Sequence, residues 1–333
     1  MMKRFTSRLG LKTSWFSSAP AQPSCGTAVY ESNTPREDRD FSKVLNDSGT
    51  TVVGVIDGHC GYRVADLMKR KVPTKIEDKL AGSLDSSLIK AAMRSTYLDC
   101  DKELLDFALI NKGAYADQGA CVLTALISVD TITVANAGDC GCLLVDASGN
   151  TEWLNSFHNA SNPSEQHRLL TEHPGEQDAY ECVRVPRAMR TPYGASDVVC
   201  YTKGMLQPTR ALGDLYLKDK RFRPDKVPSA SFSPPYITAE PEVYSTARLP
   251  THRYLVLATD GLWEQLTADD VSRLLLDGAP GSSPSQLAQR LLDAALAQAA
   301  DDANLPVNLL KDKLPNVSAR NVIDDVTVSV VAL

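Results

Sequence analysis

Runs of apolar residues that end at an acid and a glycine are the clearest pattern in the chain. Residues 51–56 are mostly β-branched and apolar, and they stop at Asp57-Gly58-His59. Such a run predicts a buried strand, and the glycine-flanked turn after it presents a carboxylate and an imidazole. Residues 253–258 repeat the pattern and lead to Asp260-Gly261. The sequence therefore predicts two strands that each deliver an aspartate at their end.

Period-two alternation predicts further strands in the middle and at the end of the chain. Residues 120–129, 131–139 and 142–145 alternate between apolar and small or polar residues, and Asp139 follows a glycine. Three short strands joined by tight turns are typical of an antiparallel meander. Residues 326–333 predict a last strand, directly after Asp324-Asp325.

Helical periodicity separates these strands. Apolar residues at helical spacing predict helices over 62–71 and 86–109, and a short helix over 165–172. Near the C-terminal end, Thr267 and Ser283 are expected to be N-caps, and the second helix begins at a proline and reaches residue 300.

Composition restricts the class of protein. The 333 residues are 43% hydrophobic and 23% charged, which predicts one large globular domain. A net charge of −6 disfavours a nucleic-acid surface. Because no apolar run approaches the ~20 residues needed to cross a bilayer, we expect no membrane span.

The first 30 residues have their own composition. They include four basic residues and no acid, which favours a mitochondrial targeting leader over 1–30 and leaves a disordered basic tail as the alternative. We accordingly expect the protein in the mitochondrial matrix or intermembrane space, and in the cytoplasm if the segment is only a tail.

Cysteine and histidine give little support for a zinc site. The eight cysteines form no C-x-x-C pair, and we expect buried reduced thiols, with Cys140 and Cys142 on one face of a strand. His158, His167 and His173 are close in sequence, but the predicted helix over 165–172 would spread their imidazoles over different faces.

Acids at strand ends favour hard cations instead. Asp57, Asp139, Asp260 and Asp324 all flank predicted strands, and a folded sheet can bring such carboxylates together. Their mutual repulsion requires a counter-charge, and oxygen ligands favour Mg²⁺ or Mn²⁺. Two such ions can bind a phosphate ester and acidify a water, while His59 could protonate the leaving oxygen. The chain has no P-loop and no C-x5-R motif, so a cysteine mechanism is not supported.

Several of these motifs occur together, in one order, in a known family. They are Glu37-Asp38, Asp57-Gly58-His59, Gly138-Asp139, Gly213-Asp214, Asp260-Gly261 and Asp324-Asp325. With them the chain resembles the metal-dependent protein phosphatase 2C (PPM) family of serine/threonine phosphatases. The resemblance implies an α+β fold, a four-layer α-β-β-α sandwich of two antiparallel sheets flanked by helices. It covers 31–333, with a flap-like insert at about 155–235.

The resemblance also implies roles for individual residues. In the family, acids at the positions of Asp57, Asp260 and Asp324 bind two or three Mg²⁺ or Mn²⁺ ions, together with the Gly58 carbonyl and Glu37. The positions of three further acids support this site or a third ion: Asp38, Asp139 and Glu264. His59 falls on the position of the general acid.

Departures from the family pattern indicate a branch. Many members have an arginine where this chain has Asn33, and Asn33 is then the expected phosphate contact. This asparagine and several neighbouring motifs resemble the mitochondrial pyruvate dehydrogenase phosphatases, which makes the pyruvate dehydrogenase complex the expected phosphoprotein partner. Two alternatives stay open: a pseudophosphatase that acts as a docking or regulatory module, and a metal-dependent phosphodiesterase or nuclease, which the acidic net charge disfavours.

Overall fold

Two antiparallel sheets stack face to face in the computed structural model, which describes residues 22–45, 49–191, 194–224, 231–311 and 319–333. The first sheet has the strand order β1-β13-β12-β6-β7. Its strands are β1 (Ser24–Tyr30), β6 (Gly141–Asp146), β7 (Thr151–Trp153), β12 (His252–Ala258) and β13 (Val326–Ala332).

The second sheet has the order β11-β5-β4-β3-β2, and β10 pairs with the first two residues of β4. Its strands are β2 (Arg39–Leu45), β3 (Thr50–His59), β4 (Gly119–Ile127), β5 (Thr131–Ala137), β10 (Leu212–Gly213) and β11 (Glu242–Ala247).

Strand β3 shows why its sequence is apolar without interruption. Val53 and Val55 point into the core between the two sheets. Val52 and Ile56 point the other way, into a core shared with the helices on the outer face. A strand that is buried on both faces needs apolar residues at successive positions.

Helices cover the outer face of each sheet and complete the predicted four-layer sandwich. On the second sheet lie α1 (Arg63–Leu80) and α2 (Ser86–Ile110). On the first sheet lie α4 (Asp260–Trp263), α5 (Ala268–Leu276), α6 (Pro284–Asp302) and α7 (Val307–Lys311). None of the described helices combines the length and the apolar character that a membrane span requires.

The two predicted N-caps are confirmed as capping boxes. The side chain of Thr267 accepts from the backbone N–H of Asp270 at the start of α5, and the Asp270 side chain reaches back to the cap. Ser283 and Gln286 form the same pair at the start of α6, where Pro284 is the first helical residue. Each box satisfies backbone donors that a helix start otherwise leaves without partners.

The predicted insert at 155–235 contains α3 (Pro163–Glu172) and the hairpin of β8 (Tyr180–Thr191) and β9 (Gly194–Thr202). A separate small cluster of buried residues packs beneath it, including Leu169, Ala179 and Leu217. This segment therefore has a hydrophobic cluster distinct from those of the sandwich.

Three details differ from the sequence analysis. The predicted meander ends after β5, because Gly138 (φ +132°) carries the chain across to the other sheet, where β6 pairs with β12. Strand β1 pairs with β13, so the sheet already includes the last part of the segment 1–30. Residues 1–21 lie outside the described residues.

The prediction of reduced thiols is wrong for Cys182 and Cys200, which face each other across the β8–β9 hairpin and form a disulfide.

Candidate active site

Three strand-end aspartates meet at one end of the sandwich. Asp57 lies near the end of β3, Asp139 follows β5, and Asp260 follows β12. Each offers a carboxylate oxygen, and these oxygens lie within 4.8 Å of one another. We call Asp57, Asp139 and Asp260 the carboxylate triad.

The charges of the triad are strongly unfavourable without a counter-ion. Burial raises the pKa of Asp57 well above its usual value, and the charges of Asp260, Asp38 and Asp139 raise it further. Burial and the charge of Asp139 also raise the pKa of Asp260, to about 6. Hard oxygen ligands that repel one another in a buried place are the donor set that Mg²⁺ and Mn²⁺ require, so these residues fit the implied cation.

Two neutral groups fix the carboxylate of Asp139. One oxygen accepts from Cys121 Sγ at 3.1 Å, and the other accepts from Asn159 Nδ2 at 3.1 Å. Asp139 is thereby held in the same cluster as Asp57 and Asp260, whereas the family resemblance gives it a supporting role.

Buried Asp325 organises the loop that carries Glu37 and Asp38. Its carboxylate is 2% exposed and accepts from the backbone N–H groups of Ser32 (2.7 Å), Asn33 (2.8 Å) and Glu37 (2.7 Å). The sequence analysis gave this residue no role. The sequence feature that could have indicated a role for Asp325 is its position beside Asp324 in an acidic pair.

Asp38 is joined to the next strand end. Its Oδ2 accepts from Thr259 Oγ1 at 2.8 Å, and Thr259 immediately precedes Asp260. Burial and the charge of Asp325 raise the pKa of Asp38 to about 8. The predicted supporting role of Asp38 is consistent with this buried contact.

Glu37 and Gly58 meet where the loop crosses β3. A Cβ at Gly58 would lie 2.5 Å from the carbonyl oxygen of Glu37, so no larger residue fits without a shift of the backbone. Burial raises the pKa of the half-buried Glu37 carboxyl, and the charges of Arg320 and His59 partly offset this. Glu37 therefore lies beside the triad without being part of it.

Asp324, the third expected metal ligand, is not a member of the triad, and its carboxylate has two neighbours. The amide Nδ2 of Asn33 approaches Oδ1 at 3.5 Å, and Arg320 forms an ion pair with the same oxygen. The charge of Arg320 also lowers the pKa of Asp260 and of Glu264, against the larger effect of burial. The sequence analysis missed Arg320, which stands four residues before Asp324 in a stretch without periodic signal.

Glu264 follows the short helix α4 and faces the same acids. Burial raises its pKa well above the usual value, and the charges of Asp260 and Asp139 raise it further. Its backbone N–H donates to the carbonyl of Asp260 at 2.8 Å. Glu264 is thus held on the turn that carries one member of the triad.

His59 is held by Asp214, which lies in the C-terminal part of the insert at 155–235. Its Nε2 lies 3.0 Å and 2.9 Å from the two carboxylate oxygens of Asp214, whose side chain is fully buried. Gly119 makes room for this contact, because a Cβ there would lie 2.0 Å from an Asp214 oxygen. Burial lowers the pKa of His59, but the charge and hydrogen bond of Asp214 outweigh this and raise it overall.

The three neighbouring histidines considered for a metal site are separated. His158 Nε2 lies 3.5 Å from a carboxylate oxygen of Glu242, and His173 Nε2 lies 3.1 Å from the carbonyl of Pro235. His167 is exposed on α3. Among the described residues, the carboxylate triad is the metal-capable cluster.

Comparisons with known proteins agree with this arrangement. Residues 36–304 match the family model for protein phosphatase 2C. Probable protein phosphatase 2C 61 of Oryza sativa subsp. japonica is 30% identical over 325 residues, which cover 92% of this chain and 80% of that protein. Probable protein phosphatase 2C 63 of Arabidopsis thaliana is 30% identical over 321 residues, which cover 92% of this chain and 79% of that protein.

A solved structure shares the fold. The crystal structure of a serine-threonine phosphatase 2C from Toxoplasma gondii superposes with a TM-score of 0.65 at 18% identity, and it covers 95% of this chain and 96% of its own. The structural match extends over both sheets and their helices, and the family model spans most of the same residues. The chain therefore belongs to the protein phosphatase 2C family.

Proposed function

We propose that this chain hydrolyses phosphoserine and phosphothreonine residues of a protein substrate, with Mg²⁺ or Mn²⁺ as its cofactor. Membership of the family makes it a protein serine/threonine phosphatase. The observation that carries the more specific proposal is the carboxylate triad next to the His59–Asp214 pair. One group would hold the cations, and the other would supply a proton.

The proposed ligands are the triad members Asp57 and Asp260, with Glu37, Asp324 and the Gly58 carbonyl around them. When bound, the ions would supply positive charge for the phosphate and lower the pKa of water. Asp139 and Glu264 would complete the site or serve a further ion. Asp38 and Asp325 would hold the loop that presents Glu37, because both carboxylates already bind neighbouring groups.

His59 would act on the leaving group. Asp214 accepts a hydrogen bond at Nε2, so Nδ1 is the nitrogen left to give a proton to the seryl or threonyl oxygen as the P–O bond breaks. The raised pKa of His59 favours the protonated imidazole that this role needs. Asp214 would act as a positioning residue, because it stabilises the imidazolium and fixes its ring.

Asn33 and Arg320 would contact the phosphate. The two side chains converge on one oxygen of Asp324, at the rim of the carboxylate cluster. A guanidinium matches the geometry and charge of a phosphate better than a neutral amide does. We therefore assign Arg320 the larger share of the phosphate binding that the sequence analysis gave to Asn33.

The identity of the substrate rests on sequence motifs alone. The pyruvate dehydrogenase complex and a mitochondrial location stay predictions, and the relatives described above are plant proteins that give no support for that branch. A phosphoproteome comparison of mitochondria with and without the gene would test the substrate. A reporter fused to residues 1–30 would test the location.

The leaving group provides the test of the proposed chemistry. Substitution His59→Ala should lower turnover on a phosphoserine peptide more than on an aryl phosphate, because only the alkoxide needs a proton to leave. Equal losses on the two substrates would contradict the acid role. A folded protein that releases no phosphate from any phosphopeptide in Mn²⁺ would favour the docking-module alternative.

A further inference from the structure

A groove between α1 and α2 opens beside the proposed general acid. Its volume is about 580 Å³, and Tyr62, Arg63, Leu67, Arg70, Phe107 and Tyr115 contribute to its walls. None of these residues takes part in the site described above. The groove lies on the outer, helical side of the second sheet.

The groove is linked to the strand end that carries His59 by one hydrogen bond and one strand pairing. Arg63, the first residue of α1, donates its backbone N–H to Gln118 Oε1 at 3.2 Å. Gln118 in turn precedes Gly119, the residue that pairs with His59 across β3 and β4. A polypeptide whose phosphate lies at the triad would therefore have this groove next to it.

Two arginines of the groove, Arg63 and Arg70, form no ion pair with a described carboxylate. The acids of the groove are already paired: Asp66 with Arg39, Glu103 with Lys71 and Lys75, and Asp106 with Lys102. No described carboxylate pairs with Arg63 or Arg70, although both line the groove. The charges of the groove that have no described ion-pair partner are therefore positive, although the net charge of the chain is −6.

Aromatic rings hold one of these cations in place. The Arg63 guanidinium lies 5.5 Å from the ring centroids of Tyr62 and Tyr115. Tyr115 stacks on Phe107 at 5.7 Å, and Phe107 is 43% exposed. A guanidinium fixed by rings loses little freedom when it binds a carboxylate, and the exposed ring offers an apolar contact beside it.

We infer that this groove binds the segment of the phosphoprotein substrate that flanks the phosphorylated residue, and that it selects acidic side chains there. The inference rests on the proposed function. Arg63 and Arg70 are seven residues apart on α1, about 10 Å along a helix. An extended peptide covers that distance in about three residues. Because side chains of an extended peptide alternate between faces, the preferred flank carries two acids two or four positions apart, with an apolar residue near them for Phe107.

The charge-reversed double variant Arg63→Glu/Arg70→Glu tests this directly. On a phosphopeptide with two flanking glutamates, its kcat/KM should fall about tenfold, mainly through KM, since two attractive charge pairs become repulsive. On the same peptide with lysines in those positions, kcat/KM should rise above that of the unchanged protein. Turnover of a small aryl phosphate should stay the same.

A binding measurement separates this inference from the proposed catalysis. In EDTA, fluorescence anisotropy of an unphosphorylated diglutamate peptide should show binding that the double variant loses. Arg290→Glu on α6 is a matched control that should leave binding and kinetics unchanged, because Arg290 is exposed and its guanidinium donates to the carbonyl of Asp277, far in the chain from the groove. Equal effects on acidic and lysine peptides, or binding unaffected by the double variant, would overturn the inference even if hydrolysis is confirmed.

A milder variant covers the case in which charge reversal impairs folding. Arg63→Gln/Arg70→Gln should lose the preference for glutamate over lysine peptides. An unchanged preference in this variant would also overturn the inference.

Discussion

The Nε2 atom of His59 lies 2.9 Å from Oδ2 of Asp214, a residue 155 positions further along the chain. The contact joins the end of β3 to the C-terminal part of the insert at 155–235, and the Asp214 side chain is fully buried. A buried carboxylate stabilises a charged imidazole strongly, because little water competes for either group. The pair therefore holds the ring of His59, and the charge of Asp214 outweighs the effect of burial and raises the pKa of the imidazole.

Replacement of Asp214 by asparagine should reveal this dependence. Asp214→Asn keeps the shape of the side chain but removes the charge that stabilises the imidazolium. We expect turnover on a phosphoserine peptide to fall about 100-fold, the lower end of the contribution of general acid catalysis. Turnover on an aryl phosphate should fall much less. Steady-state kinetics on both substrates check this, and equal losses would show that Asp214 only maintains the fold.

Removal of the Asp325 carboxylate should loosen the loop at 32–38. Asp325→Ala leaves three backbone N–H groups without their acceptor, and each buried unsatisfied donor costs about 1 to 3 kcal/mol. We expect a loss of at least 2 kcal/mol in the free energy of unfolding and a weaker affinity for Mn²⁺. Urea denaturation and calorimetric titration measure the two effects. The exposed Asp269 provides the control Asp269→Ala, and similar results for both variants would refute the role of Asp325.

The disulfide predicts a defined count of reactive thiols. The structure has Cys182 bonded to Cys200 and six free cysteines. In denaturant without reductant, a thiol reagent should label these six, and after reduction it should label all eight. Cys182→Ser/Cys200→Ser should show six in both conditions and unfold more readily, since closing a loop of this length contributes about 3 kcal/mol. Eight reactive thiols before reduction would contradict the bond.

The buried ion pairs of Glu165 predict a loss of stability in acid. Burial raises the pKa of Glu165, but its hydrogen bond to Arg210 and the charge of Arg168 outweigh this and lower it to about 2. Because the folded pKa is below the unfolded one, the stabilisation is complete above about pH 5. It is lost as the pH falls from there towards 2. At pH 7 it amounts to about 2 to 3 kcal/mol.

Glu165→Gln should therefore lower the free energy of unfolding at pH 7, and the difference from the unchanged protein should shrink as the pH is lowered. Glu172→Gln is the control, because Glu172 pairs with the same Arg168 but is 49% exposed and should have little effect. Denaturant melts at a series of pH values make the comparison. A difference that does not change with pH would mean that Glu165 stabilises the fold by packing and not by its charge.

Local sequence patterns were sufficient for the elements that bear the triad. Asp57 and Asp260 both follow an apolar run and precede a glycine, so strand and turn signals coincide within a few residues. The helices with capping boxes at Thr267 and Ser283 were predictable for the same reason. The assignment of β6 to the first sheet was not, because period-two alternation identifies a strand but not its neighbour.

Contacts between distant segments explain what the sequence analysis missed. Asp325 accepts from the backbone N–H of Glu37, 288 residues away, and Asp214 contacts His59 from 155 residues away. Both are ordinary acids in their local sequence, and only the fold supplies their partners. The Cys182–Cys200 pair was missed because it depends on the register of a hairpin in a stretch with weak periodicity.

The central claim is that the carboxylates of Asp57 and Asp260, within the triad, hold the cation on which the proposed hydrolysis depends. Calorimetric titration of the purified chain with Mn²⁺, before and after Asp57→Asn, tests it most directly. The account predicts saturable binding by the unchanged chain and an affinity at least tenfold weaker in the variant, with phosphopeptide hydrolysis lost in parallel. Equal Mn²⁺ affinity and equal turnover in the two proteins would contradict it.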